Sequence, residues 1–235
     1  MSERDNNRDF RSKIRSDIDL AGYIDAAVLK TESSATDIQN LCEEAIRYHY
    51  KAIFINPSYT TMCARLLKGS GVKLGSVAGF PLGATTTEVK IFEAQEGENH
   101  GADEIDMVAN VGAIKSGDWS LYERDVAGVR KALSRQTTLK VILECTLLNQ
   151  EEKVSAATIA AGCGVDFVKT STGMFGQATV EDVALLFETV GNRVGVKASG
   201  GIRTLQQALA MIEAGASRIG TSSGVAIINE LRSRS

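Results

Sequence analysis

Two spacings of apolar residues alternate along the chain. Short runs rich in aliphatic and β-branched residues recur at Ile24–Leu29, Ala52–Ile55, Lys73–Ala78, Glu104–Ala109, Leu139–Glu144, Asp166–Thr170, Arg193–Ala198 and Ser217–Thr221, eight in all. Between them lie longer segments in which apolar residues return every three to four positions, for example Thr36–Tyr50, Thr86–His100, Trp119–Ser134 and Glu151–Gly162. The first spacing predicts strands and the second predicts amphipathic helices. Strict alternation predicts a parallel sheet, because parallel neighbours need a long crossover and a helix supplies it. Eight such units close into a single-domain α/β TIM (β/α)₈ barrel; an open doubly wound sheet is the alternative.

The punctuation between the runs agrees. Thr36, Thr179 and Thr204 stand where helix N-caps are expected, and Gly101, Gly162, Gly191 and Gly215 follow helical stretches as C-terminal caps do. Gly-Ala-Asp at 101–103, Gly-Val-Asp at 164–166 and Gly-Ala-Ser at 215–217 mark equivalent turns before the fourth, sixth and eighth strands. Pro57 and Pro81 are the only prolines, and no linker interrupts the pattern. One barrel domain over residues 17–235 is expected, preceded by a polar lead-in at 1–16.

Composition narrows the classes of partner. The formal charge is −3, with no basic stripe for nucleic acid. No apolar run is long enough for a transmembrane helix and no secretory h-region opens the chain, so a cytoplasmic protein with no membrane partner is expected. Cys42, Cys63, Cys145 and Cys163 form no CxxC pair, and only His49 and His100 could join them. No metal site is expected; the thiols read as reduced core residues and both histidines as helix-end or surface residues. Glu88 and Lys90 begin a helix and read as a local electrostatic contact.

Three predicted strands carry ionisable residues amid apolar ones: Asp106 in the fourth, Lys169 in the sixth and Lys197 in the seventh. If Ile105, Val168 and Val196 point outward, alternation turns all three into the barrel. A lysine there is costly unless paired. One explanation is an amine nucleophile made reactive by desolvation and a neighbouring cation, with the aspartate moving protons. The other is an ion cluster that only plugs the barrel, although buried pairs stabilise poorly. The loops after strands seven and eight, Ser199–Arg203 and Gly220–Gly224, are small, rich in Gly and Ser, and each opens a helix. That is where barrels hold phosphate.

FVKTSTG at 167–173, VKASGGIR at 196–203, EIDMV at 104–108, PLGATTTEVK at 81–90, NPSY at 56–59 and RIGTSSGV at 218–225 together resemble the deoxyribose-phosphate aldolase family of class I aldolases. The resemblance spans residues 20 to 230 or so. It implies reversible cleavage of 2-deoxyribose 5-phosphate to acetaldehyde and glyceraldehyde 3-phosphate, with no cofactor. It implies Lys169 as the Schiff-base lysine, Lys197 as the lysine that lowers its pKa, and Asp106 as the proton donor and acceptor. Gly200, Gly201, Ser222 and Ser223 would hold phosphate, helped by Arg203, with Gly220, Asp25 and Thr170 on the substrate side. Partners would be small phosphorylated sugars and aldehydes, in a homo-oligomer (dimer or tetramer).

The chain departs from the family's pattern in the first strand, where IDHTLLK reads Ile24-Asp25-Ala26-Ala27-Val28-Leu29-Lys30. It departs again at Glu144-Cys145-Thr146, where two residues are exchanged, and at 174–177, where the loop is one residue shorter. These departures keep two other readings open: a sibling aldolase for another sugar phosphate, and a phosphate-binding barrel without catalysis.

Overall fold

The computed structural model describes residues 16–234. The lead-in at 1–16 lies outside the described residues except for Ser16, whose hydroxyl accepts from Asp19 N and caps the short helix Asp17–Ala21. Eight parallel strands follow: β1 (Ile24–Val28), β2 (Ala52–Ile55), β3 (Lys73–Ala78), β4 (Glu104–Val108), β5 (Thr138–Ile142), β6 (Phe167–Lys169), β7 (Gly195–Ser199) and β8 (Arg218–Thr221). They pair in chain order, and β8 closes on β1, with Asp25 opposite Gly220. The closed barrel is formed and the open sheet is excluded.

Helices Ala35–Tyr48, Thr60–Leu66, Thr87–Asn99, Trp119–Ala132, Gln150–Gly162, Val180–Val190, Leu205–Glu213 and Gly224–Arg232 follow the eight strands in turn. Thr179 and Thr204 cap as expected, but the second of these helices, counting Asp17–Ala21, is capped by Ser34 rather than Thr36. Ser34 and Asp37 bond reciprocally, which satisfies two end donors and fixes the helix start one residue ahead of Thr36. His49 and His100 terminate their helices. Cys42, Cys63 and Cys145 are buried thiols and Cys163 is half-buried. Lys90 departs from the expected local contact: it is fully buried and paired with Asp125 of the neighbouring helix.

Strand alternation sorts side chains into two compartments. Ile105, Met107, Leu139, Val141, Val168, Val196 and Ile219 join the apolar layer beneath the helices. Ile24, Ala26, Ile53, Ile55 and Leu74 form a smaller layer beneath helices 35–48 and 60–66. The intervening residues face the barrel axis, where bulk is set against its absence. The lateral neighbours of Phe54 in the register are Ala27 and Gly75. A Cβ on Gly75 would sit 2.2 Å from the Phe54 ring, and one on Gly195 would sit 2.3 Å from the Phe167 ring. Gly75→Ala is therefore expected to overpack the axis and cost about 1–3 kcal/mol of stability, read as a lower midpoint in denaturant with an unchanged slope.

Candidate active site

Register brings the ionisable residues together. Lys169 and Lys197 are directly paired on adjacent strands, and Asp106 is paired with Lys140 on β5. Nζ of Lys169 lies 2.9 Å and Nζ of Lys197 2.8 Å from the same Asp106 oxygen. The other Asp106 oxygen is 3.2 Å from Nζ of Lys140. Lys140 also pairs with Glu104, and Lys197 lies 2.8 Å from Asp25. Arg218 completes the cluster, bound to Asp25 and, at 2.5 Å, to Glu104.

All seven residues are buried. Four cations therefore face three carboxylates in a space with little water. Full ionisation leaves one uncompensated positive charge; loss of one lysine proton removes it. The contacts are unequal. Lys140, Lys197 and Arg218 each touch two carboxylates, whereas Lys169 touches only Asp106. Burial pulls the Lys169 amine down to about 8; the Asp106 charge opposes this, and Lys197 and Lys140 add to it. Desolvation thus outranks the second lysine as the cause. Burial disfavours charge on Asp106, but Lys140, Lys169 and Lys197 outweigh it and hold the carboxyl well below its usual range. The same balance, with Asp106, Asp25 and Glu104 as partners, holds Lys140 above the ordinary lysine value.

Asp25 and Thr170, named on the substrate side by the resemblance, are both buried and bonded within the barrel. Asp25 is fully buried, one oxygen on Arg218 and the other facing Lys197. It holds cations in place. The Thr170 hydroxyl donates to Ser199 O at 2.9 Å and accepts from Ser199 N at 3.0 Å, which ties β6 to β7.

Lys140, Glu104 and Arg218 went unremarked in the sequence as site residues. Each is an ionisable side chain inside an apolar strand, as Lys197 is, but that pattern alone does not say how deep along the barrel the residue sits.

The two loops at the C-terminal face differ. Gly200 and Gly201 adopt φ of 113° and 74°, a left-handed backbone open to glycine. The helix that follows them, 205–213, is closed at its start: Thr204 caps Gln207 N, and Gln207 Oε1 accepts from Arg203 N and Thr204 N. Arg203 N, Thr204 N and Gln207 N thus already have side-chain acceptors, and Leu205 N donates to Glu230. The helix at 224–232 begins at Ser223 with no side-chain cap, so its first N–H groups remain free to meet an anion. Thr221 Oγ1 donates to Ile202 O at 2.6 Å and joins the two loops. Gly220 is buried against Ser199, while Ser222 and Arg203 are exposed at the rim and Ser223 is half-buried.

The loop after Lys169 is anchored by Glu144. This residue adopts a left-handed φ of 59°, rare without glycine, and one carboxylate oxygen accepts both the N–H and the hydroxyl of Thr172. A Cβ on Gly176 would lie 2.2 Å from Thr146, so the exchanged threonine and the short loop fit each other through a glycine.

Paired lysines of unequal compensation, a carboxylate between them and a helix start without a side-chain cap suit amine attack on the carbonyl of an anionic substrate. Known proteins agree. A deoxyribose-phosphate aldolase of Thermococcus gammatolerans is 52% identical over 219 residues, 92% of this chain and 97% of its own. One from Exiguobacterium sibiricum is 52% identical over 213 residues, 90% of this chain and 96% of its own. Among solved structures, the one described as a unique tetrameric structure of deoxyribose phosphate aldolase from Aeropyrum pernix superposes with a TM-score of 0.89 at 35% identity, covering 100% of each chain. The model of the DeoC/LacD family aldolases matches residues 19–230, and the chain belongs to that family.

Proposed function

We propose that this protein is a 2-deoxy-D-ribose 5-phosphate aldolase, a lyase that works through an imine on Lys169. The observation that carries the assignment of the lysine is the count of contacts: Lys169 is the one cation of the cluster with a single carboxylate partner. It is therefore the one that gives up a proton at least cost.

The bare amine attacks the aldehyde carbon of the open-chain sugar, and the carbinolamine loses water to form an iminium. A base removes the proton from the hydroxyl on the third carbon. The bond between the second and third carbons then breaks, and its electrons pass into the iminium. Glyceraldehyde 3-phosphate leaves, an enamine remains, and protonation followed by hydrolysis frees acetaldehyde. Asp106, in contact with Lys169, Lys197 and Lys140, is suited to relay protons between these groups. Lys197 supplies the fixed positive charge that favours the neutral amine. Gly200, Gly201, Ser222, Ser223 and the free end of helix 224–232 would take the phosphate, with Arg203 and Gly220 alongside.

We further assign residues 17–235 as one catalytic domain acting as a cytoplasmic homo-oligomer, a dimer or tetramer. The relative from Aeropyrum pernix is described as tetrameric, and among the described residues no helix is long and apolar enough to cross a membrane. Nucleic acid is not a partner in this reading, given the net charge of −3.

The test is borohydride reduction in the presence of acetaldehyde, followed by peptide mapping. The adduct is expected on Lys169; an adduct confined to Lys197 or Lys140 would sink the assignment.

A further inference from the structure

The Phe54 ring occupies the barrel axis among the charges. Three lysine nitrogens lie near its face: Nζ of Lys197 at 3.5 Å from the centroid, Lys140 at 4.4 Å and Lys169 at 6.0 Å. Ala27 on one side and Gly75 on the other make room for it. Ala27, where the family resemblance expects a threonine, thus has a packing role: a small residue beside a large one.

The cluster to which Lys169 belongs draws its other charges from five strands: Asp25 on β1, Glu104 and Asp106 on β4, Lys140 on β5, Lys197 on β7 and Arg218 on β8, with Asp106 alone in contact with Lys169.

We propose that Phe54 is a positioning residue that keeps water out of the space beside Lys169 and so keeps that amine bare at the pH where the enzyme works. The inference rests on the imine reading of Lys169. Loss of the ring leaves a hole far larger than the roughly 30 Å³ share of one water, lined by ammonium and carboxylate groups, and a polar hole of that size hydrates. Water stabilises the ammonium over the amine and returns Lys169 toward an ordinary lysine. An apolar replacement of similar bulk keeps the space dry.

The experiment is the pH profile of kcat/KM for the parent, Phe54→Ala, Phe54→Leu and Phe54→Met, each checked for folding by circular dichroism. The acid limb of Phe54→Ala is expected to move up by about one pH unit, a roughly tenfold loss below the limb that is largely recovered in alkali. Phe54→Leu and Phe54→Met are expected to keep the parent's limb. Should the alanine variant not fold, Phe54→Val makes the same comparison with a smaller hole. An alanine limb in the parent's place overturns the proposal. So does a leucine limb displaced as far as the alanine one, which would assign the effect to the ring face rather than to dryness. Trapping on the parent separates the two readings. An adduct absent from Lys169 removes the imine assignment, whereas an adduct on Lys169 with unmoved limbs removes only the role of Phe54.

Discussion

Lys169→Leu is expected to abolish aldol cleavage and, at the same time, to make the protein more stable. The activity loss follows from the chemistry: without the amine no imine forms, and the remaining lysines are each held by two carboxylates. Loss of a covalent nucleophile typically removes four or more orders of magnitude of rate. The gain in stability follows from linkage. Lys169 sits at about 8 in the folded protein against 10.5 for an ordinary lysine. Between those two values the unfolded chain binds more protons than the native one, so stability rises with pH across that window. Below it the native state carries a constant cost of roughly 3 kcal/mol. Leucine removes that cost, and three cations then face three carboxylates. Chemical denaturation at neutral pH should show the variant more stable by about 1–3 kcal/mol, with the gap closing as the pH passes 10 or so. A variant that is inactive and also less stable would show that the bare lysine is not the strained element of the cluster.

How much of this was legible in the sequence follows from what periodicity encodes. The eight strands were readable because burial on both faces gives continuous apolar runs. The placement of Asp106, Lys169 and Lys197 was readable because a period of two fixes which residues share a face. Lys140 was not readable. Lys73, at the head of β3, looks much the same, yet it is exposed and pairs with Asp103 at the surface, whereas Lys140 is fully buried. The difference lies in how far along the barrel each lysine sits, which depends on register between strands, and one strand's pattern carries no register. Lys90 fails in the same way, since its partner Asp125 is 35 residues ahead on another helix. Phe54 reads as one more core residue until Gly75 and Ala27 are known to flank it. The roles of Lys169 and Lys197 were suggested by family motifs, and only the unequal number of carboxylates around each gives a physical reason for that order.

Lys197→Leu tests that order from the other side. This substitution leaves the Lys169 amine in place and removes the nearest competing cation. Two effects follow. Asp106 loses one of three ammonium partners, so its remaining charge bears more strongly on Lys169. The cluster also becomes neutral with every remaining group ionised, so no lysine needs to shed a proton. Both effects raise the Lys169 pKa from about 8 toward the ordinary 10.5. The sign is fixed: activity needs the unprotonated amine, so the acid limb of kcat/KM moves to higher pH. A displacement of one to two pH units corresponds to about a 10- to 100-fold loss near pH 7. Part of that loss returns as the pH is raised, which distinguishes an electrostatic role from direct proton transfer by Lys197, whose loss would lower the rate at every pH. Lys197→Arg supplies the control. It keeps the cation beside Asp25 and Asp106 and should hold the limb near the parent's value, even if the bulkier guanidinium reduces the plateau. A limb unmoved in Lys197→Leu would leave desolvation, and with it the Phe54 wall, as the dominant means by which this barrel keeps an amine reactive.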